Sequence, residues 1–148
     1  MQGLLLISSP TMEDPNFLDA VVYIAEYNDN GALGFIINKQ HDRPLNELSE
    51  FIHCPAFPLY RGGPVDTEHL FFIHRCNDLI PGGQQIADNI YLGGDFNKVI
   101  ELITNGEINS THIKIFIGYC GWDAEELETE IREGYWKIIN EVATPIFD

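Results

Sequence analysis

The chain has 148 residues, of which 45% are hydrophobic and 21% are charged. These proportions are those of a folded globular protein and argue against disorder. Eight Lys and Arg residues stand against 23 Asp and Glu residues, which gives a formal net charge of -15. Because affinity for DNA comes largely from basic groups that neutralise phosphates, this charge argues against direct nucleic-acid binding, and it also weakens binding to anionic membranes.

The organisation of the sequence is simple. It contains no internal repeat and no linker-like change in composition, so we expect one domain spanning residues 1–148. The N-terminus lacks the features of a signal peptide, and no stretch approaches the ~20 apolar residues of a transmembrane helix. The three cysteines form no CxxC pair and are odd in number, which argues against a disulfide framework or a zinc site. These features predict a cytoplasmic protein without a metal or a cofactor.

Strand signals dominate the first half of the chain. Residues 3–8 form a nearly continuous Leu/Ile run, which is typical of a strand buried on both faces. Residues 20–27 and 33–37 are apolar runs, the first rich in β-branched and aromatic residues, and Asn28-Asp29-Asn30-Gly31 between them predicts a hairpin turn. Further strands are predicted over residues 70–74, 86–92 and 113–117.

Three helices are predicted between and after these strands. Pro44 suits the first position of a short helix that ends near residue 52. Asp95 is expected to cap a second helix that ends near residue 105. Asp123 is expected to cap a third, whose apolar stripe runs to Ile138. Since strands and helices do not alternate regularly, the sequence predicts an α+β fold with a mixed or antiparallel sheet and flanking helices.

A series of short blocks carries a family resemblance along almost the whole chain. The blocks lie at residues 3–10, 14–17, 20–24, 28–31 and 70–74, and include Gly34-Phe35-Ile36-Ile37-Asn38-Lys39, Gly62-Gly63-Pro64-Val65, Gly118-Tyr119-Cys120-Gly121-Trp122 and Leu127-Glu128 with Glu130. In this order they resemble the YqgE/AlgH family of bacterial proteins. The resemblance implies a single α+β domain on a strongly coiled sheet, with no established biochemical activity and no established catalytic residue. One branch of the family is named for regulation of alginate biosynthesis, which raises the hypothesis of a transcriptional regulator.

Two positions depart from what the family resemblance implies. Asp19 stands where family members usually have a basic residue, which argues against an anion-binding role for the strand that follows it. Cys120 stands where members usually have alanine, so a thiol function at this position would not be a family property.

Two segments carry the residues best suited to contact a ligand. Arg61-Gly62-Gly63-Pro64 places a glycine pair beside a cation, which lets backbone amides approach an anion, although a tight turn explains the pair equally well. Asn38-Lys39 closes the second hairpin strand, where ligand contacts are often found. Trp122 precedes the last helix and either anchors it to the core or stacks on a ligand. The predicted ligand-binding residues are Asn38, Lys39, Gly62, Gly63, Pro64 and Trp122.

The hypotheses of catalysis and of metal binding depend on a few candidate residues. Cys120, close to the predicted start of the last helix, is the candidate nucleophile because free helix amides favour a thiolate, although a free cysteine is most often buried and inert. Asp14 is the second candidate for a small cleft enzyme. His74 and Cys76 share one face of an ideal strand, but nothing supplies further ligands at a recognised spacing, so no metal site is predicted.

The sequence therefore predicts a non-catalytic binding or regulatory module that recognises a protein or a small molecule. The acidic face of the last helix is expected either to be solvated or to meet a basic protein partner. A small enzyme using Cys120 or Asp14 is the first alternative. A transcriptional regulator is the second, with direct DNA binding disfavoured by the net charge and by the lack of a helix-turn-helix pattern. The oligomeric state is left open.

Overall fold

The computed structural model describes residues 1–139 and 146–147, and nine strands within these ranges join into one sheet. Two α-helices, α1 (Phe96–Thr104) and α2 (Glu126–Arg132), accompany the sheet, and 3-10 turns lie at Pro15–Phe17, Leu45–Glu47 and Ser49–Phe51. In chain order the strands are β1 (Leu5–Ser8), β2 (Val21–Asn28), β3 (Gly31–Ile36), β4 (Leu59–Arg61), β5 (Val65–His74), β6 (Gln84–Ala87), β7 (Ile90–Leu92), β8 (Ile113–Asp123) and β9 (Trp136–Ile139).

The sheet is mostly antiparallel, in the order β6-β7-β5-β8-β3-β2-β1-β9, and β4 adds a parallel pair with β8. The long strand β8 changes partners along its length. Its residues 115–117 pair with β4, whereas its residues 120–123 pair with β3. The ends of β3 and β4 therefore meet near the middle of β8. The α+β class with a mixed sheet and flanking helices, predicted from the sequence, is confirmed.

The β2–β3 hairpin shows how local sequence and close packing combine. Its connection is Asp29-Asn30, and the Asn28 side chain accepts a hydrogen bond of 2.8 Å from the Asn30 amide. Gly31 follows with φ of +137°, and a Cβ atom there would lie 2.0 Å from the carbonyl oxygen of Trp122. Glycine is required at this position because β8 passes too close for any side chain.

Three apolar clusters fill the interior. One packs α1 against the sheet through Val99, Leu102 and Ile103. A second contains Phe35 and Phe116, whose rings stack with centroids 4.5 Å apart. The third surrounds Trp136 and contains Leu127 of α2, and it holds the terminal strands against that helix.

Several local predictions are corrected by the structure. The segment 86–92 is not one strand but the β6–β7 hairpin, because Asn89 adopts a left-handed φ of 58° and reverses the chain. The segment after Pro44 forms two 3-10 turns instead of an α-helix. By contrast, Asp95 caps α1 as predicted, since its carboxylate accepts from the Lys98 amide at 3.2 Å.

The last helix differs most from its prediction. Asp123 does not cap it, because β8 continues through Asp123 and α2 begins only at Glu126. The helix is also shorter, since Gly134 takes a φ of +86° and turns the chain away. Ile138, predicted on the helical stripe, lies in β9 and pairs with Leu6. Neither helix in the described ranges has the length and apolar run needed to cross a membrane.

Candidate anion-binding cleft

A cleft of about 770 Å³ opens where β3 and β4 meet beside β8. We call it the basic cleft, because four of its lining residues are basic and one is acidic. Its lining residues are Pro15, Asn16, Ile36, Lys39, His41, Asp42, Arg43, Leu48, Arg61, Gly63, Pro64, Thr67 and Ile117.

The basic residues are brought together by backbone pairing. The Arg61 amide donates to the Lys39 carbonyl at 2.8 Å, and the His41 amide donates to the Leu59 carbonyl at 2.8 Å. The segment after β3 thus runs antiparallel to β4, with Lys39 opposite Arg61. Because side chains alternate along an extended chain, Lys39 and His41 face the same side. The cleft therefore receives a pair of cations from two neighbouring strands.

The charge of the basic cleft contrasts with that of the chain. Lys39, Arg43 and Arg61 are three of the eight Lys and Arg residues in a chain of net charge -15. Among the described lining residues Asp42 alone is acidic, and its carboxylate lies 3.0 Å from the Arg61 guanidinium. Both partners are largely exposed, so this ion pair contributes little stability.

The polar groups of the cleft include further donors. Lys39 Nζ contacts the Asn16 carbonyl oxygen at 3.4 Å. His41 Nδ1 lies 3.0 Å from the Arg43 amide nitrogen and 3.3 Å from the Arg43 carbonyl oxygen, so this ring nitrogen is engaged with the backbone. The arrangement can therefore offer an anion one ammonium, two guanidinium groups and one imidazole ring.

Gly62 and Gly63 pack closely against β8 at the cleft. The Gly62 amide donates to the Ile117 carbonyl at 2.9 Å, so it is engaged within the fold and does not face a ligand. A Cβ atom on Gly62 would lie 2.3 Å from the Gly118 carbonyl oxygen, and one on Gly63 would lie 2.2 Å from the Tyr119 carbonyl carbon. Close passage across β8 requires both glycines, and Gly63 also lines the cleft.

Asn38 lies beside the basic cleft but does not line it. Its side-chain oxygen accepts from the Val21 amide at 2.9 Å, and its Nδ2 donates to the Asp19 carbonyl at 2.8 Å. Asp19 itself has a left-handed φ of 52°. Asn38 therefore holds the strained entry to β2, and the Asp19 departure from the family pattern lies outside the cleft lining.

Trp122 belongs to a separate cavity of about 380 Å³, which we call the tryptophan cavity. Its lining residues are Met12, Glu13, Asp14, Phe17, Pro64, Val65, Gly121, Trp122, Glu126, Glu130 and Tyr135. Trp122 is buried, and its indole N–H donates to Glu130 Oε1 at 3.1 Å. Trp136 donates to the same oxygen at 3.0 Å. Trp122 therefore anchors α2, and Pro64 is shared by both cavities.

The structure contradicts the nucleophile hypothesis for Cys120. The residue lies inside β8, six positions before α2 begins, and its side chain is fully buried. Its thiol donates to the Gly62 carbonyl at 3.3 Å, and burial raises the pKa of Cys120 to about 12. The thiol is thus protonated and inaccessible at neutral pH. Asp14 accepts from the Asn16 amide at 2.9 Å and lines the tryptophan cavity.

His74 and Cys76 form hydrogen bonds within the fold. His74 is fully buried, with Nε2 2.9 Å from the Gly93 carbonyl oxygen and Nδ1 accepting from the Cys76 amide at 3.1 Å. Both ring nitrogens are occupied, so the ring cannot ligate a metal without losing a bond. Across the described ranges, no group of three or more His, Cys, Asp or Glu side chains is placed to hold a metal ion.

Three of the predicted ligand-binding residues, Lys39, Gly63 and Pro64, line the basic cleft, and two further lining residues, His41 and Arg43, were not among those predicted. The available signal was the spacing of Lys39, His41 and Arg43 at every second residue, which places basic side chains on one side of an extended segment.

Comparisons with known proteins agree with this fold. The family described as AlgH-like matches residues 5–148. A UPF0301 protein from Bacteroides thetaiotaomicron is 38% identical over 141 residues, which is 95% of this chain and 71% of that protein. A UPF0301 protein from Chlorobium limicola is 36% identical over 145 residues, or 98% of this chain and 78% of that protein.

Two solved structures share the architecture. The solution structure of the AlgH protein from Pseudomonas aeruginosa superposes with a TM-score of 0.78 and 28% identity, over 99% of this chain and 80% of that one. The crystal structure of protein DIP2367 from Corynebacterium diphtheriae gives a TM-score of 0.72 at 19% identity, over 95% and 75% of the two chains. The second likeness concerns the fold alone.

Proposed function

We propose that this chain, which belongs to the AlgH-like family, is a non-catalytic binding module whose basic cleft holds an anionic small molecule. One observation carries the proposal: Lys39 and Arg61 are opposite each other on paired segments and line the same cleft. Like charges placed directly opposite on neighbouring strands are destabilising. An anion between them would contact both cations, together with or in place of the Asp42 carboxylate that lies 3.0 Å from Arg61.

The rest of the chain makes this concentration of cations informative. Acidic residues outnumber basic ones by 23 to eight, yet within the part of the chain that the structure describes Asp42 is the one acid that lines the basic cleft. Local positive potential in an acidic protein favours anions at this position over other parts of the surface. Regulation through a bound small molecule is compatible with this arrangement and does not require contact with DNA.

The test is a titration of the chain with inorganic phosphate at low ionic strength, in which isothermal calorimetry measures the affinity. Arg61→Gln removes a guanidinium group that can bind an oxyanion through two N–H groups. We expect an affinity loss of roughly tenfold or more, since a hydrogen bond to a charged group contributes about 1.5–3 kcal/mol. Lys98→Gln is the matched control, because Lys98 carries the same charge and lies on α1 outside the cleft.

The two variants separate specific binding from general electrostatics. If Arg61→Gln and Lys98→Gln weaken phosphate binding equally, net charge and not the cleft determines affinity. If the wild-type chain shows no saturable binding of phosphate, either as the inorganic ion or as an organic phosphate ester, the proposed function is wrong.

A further inference from the structure

The basic cleft has a second chemical character besides its charge. Five of its described lining residues are apolar, and they come from five separate parts of the chain. Ile36 ends β3, and Ile117 lies in β8 beside the Tyr60–Arg61 end of β4. The apolar lining residues are Pro15, Ile36, Leu48, Pro64 and Ile117. Charged groups and apolar groups thus share one cavity.

The size of the basic cleft sets the size of its ligand. Its volume of about 770 Å³ lies within the range of roughly 300–1,000 Å³ that is usual for sites of organic ligands. An inorganic anion such as phosphate fills a small part of that space. It would satisfy the cations and leave Leu48 and Ile117 facing water, so it would forgo the hydrophobic contribution to affinity.

The charged groups fix the kind of head group. Arg61 presents a planar fork of N–H donors that matches a carboxylate or a phosphate, and Lys39 stands opposite it as a point charge. The Asp42 carboxylate lies 3.0 Å from the Arg61 guanidinium, so the head group of a ligand would have to share or replace this contact. A head group placed between Lys39 and Arg61 would contact both cations, and the rest of the ligand would contact the apolar walls.

Building on the proposed function, we infer that the ligand of the basic cleft is an amphipathic organic anion. It carries one carboxylate or phosphate head group on an apolar, aromatic or aliphatic body. The juxtaposition of the Lys39–Arg61 pair with the partly exposed side chains of Leu48 and Ile117 selects this class over inorganic anions and over uncharged apolar molecules.

Three probes separate the contributions of head and body. Inorganic phosphate supplies the head alone, 1-naphthol supplies the body alone, and 1-naphthyl phosphate supplies both. Isothermal calorimetry with the full chain measures each affinity in the same buffer. We expect 1-naphthyl phosphate to bind at least tenfold more tightly than either of the other two probes.

Variants at Arg61 and Leu48 assign the contributions to residues. Arg61→Gln should weaken phosphate and 1-naphthyl phosphate alike. Leu48→Ala should weaken 1-naphthyl phosphate about threefold or more and leave phosphate unchanged, because it removes apolar contact only. Leu79→Ala is the control for Leu48→Ala, since Leu79 is an exposed leucine outside the cleft. Amide chemical shifts of Ile36 and Ile117 in the wild-type chain give a readout that needs no variant: they should move with 1-naphthyl phosphate and not with phosphate.

The possible outcomes have different consequences. Equal affinities for phosphate and 1-naphthyl phosphate would overturn the inference and leave the anion-binding proposal intact. Equal affinities for 1-naphthol and 1-naphthyl phosphate would overturn both, since charge would then contribute nothing. Failure of both phosphate compounds to bind would likewise contradict the proposed function itself.

Discussion

The basic cleft and the tryptophan cavity share the lining residue Pro64, and they differ in how their polar groups are paired. In the tryptophan cavity, one oxygen of Glu130 accepts from both indole N–H groups, which are buried and matched to it. In the basic cleft, cations stand opposite each other, and the Asp42 carboxylate that contacts Arg61 is largely exposed. The first arrangement stabilises the fold, whereas we propose that the second receives a ligand.

The difference shows why charge and exposure have to be considered together. The tryptophan cavity is lined by four acidic residues, the basic cleft by one. Yet Trp122, the residue most suggestive of ligand stacking, is held by a hydrogen bond within the fold. Buried groups whose hydrogen bonds are already formed within the fold have less to offer a ligand than exposed charged groups, whose ion pairs contribute little.

The largest expected effect on stability is at Glu130. Glu130→Leu leaves the Trp122 and Trp136 indole N–H groups without their acceptor. A buried unsatisfied donor costs about 1–3 kcal/mol, so the free energy of unfolding should fall by roughly 2–5 kcal/mol in urea denaturation. Glu130→Gln keeps a carbonyl acceptor and should retain most of the stability. Phosphate affinity should be the same in both variants, and a leucine variant as stable as the glutamine variant would show that the two bonds are not structural.

A smaller loss is expected for Gly63→Ala. The new Cβ atom would lie 2.2 Å from the Tyr119 carbonyl carbon, so the chain must shift against β8. Overpacking of this kind costs about 1–3 kcal/mol. Gly121→Ala is the matched control, because the nearest atom to a Cβ there is 3.6 Å away. A Gly63 variant of unchanged stability that loses only phosphate binding would assign this glycine to the ligand and not to the fold.

The buried His74 should make stability depend on pH. Burial lowers the pKa of His74 below its usual value, so below about pH 6.5 the unfolded chain binds a proton that the folded chain does not. The contribution of His74 to stability is therefore full above pH 6.5 and is lost as the pH falls toward the lowered pKa. The same urea titrations at several pH values should show a shallower loss of stability on acidification in His74→Gln than in the wild-type chain.

His69 provides the opposite sign as a control. Its exposed ring contacts Asp66, and this contact raises the pKa of His69, so its contribution is present at low pH and is lost as the pH rises through the raised value. His69→Gln should therefore not reduce the acid sensitivity. If His74→Gln leaves the pH dependence unchanged, the buried ring is not its source.

The smallest effect is expected for Asp42→Asn. This change removes the carboxylate that competes with an incoming anion for the Arg61 guanidinium. Phosphate affinity should rise a few-fold, and stability should change by less than about 1 kcal/mol because the ion pair is exposed. Calorimetry showing weaker phosphate binding in this variant would mean that Asp42 orients Arg61 for the ligand and does not compete with it.

The sequence correctly predicted elements that depend on residues close together in the chain. Asp95 begins α1 as expected, because capping depends on residues three positions apart. The same kind of local pattern gave a wrong prediction at Asp123. The cap pattern is present there, but pairing of Gly121 and Trp122 with β3 extends β8 through Asp123. Strand pairing, which is not visible in a local window, prevailed over capping preference.

The candidate site was predictable in part. Lys39, Gly63 and Pro64 were assigned from their chemistry and do line the basic cleft. Arg43 was missed because its relevance depends on the pairing of residues 39–41 with β4, about twenty residues further along the chain. Asn38 and Trp122 were assigned on residue type, and the structure shows their side chains bonded within the fold.

Nitrogen–proton NMR of the wild-type chain during titration with inorganic phosphate compares the two cavities in one sample. Both tryptophans of the chain lie in the cluster that packs α2, so their two indole signals report on the tryptophan cavity. Saturable shifts at the amides of Lys39, Arg61 and Gly63, with both indole signals unmoved, are the expected result. Shifts spread evenly over the surface, or confined to the indole signals, would contradict a specific anion site in the basic cleft.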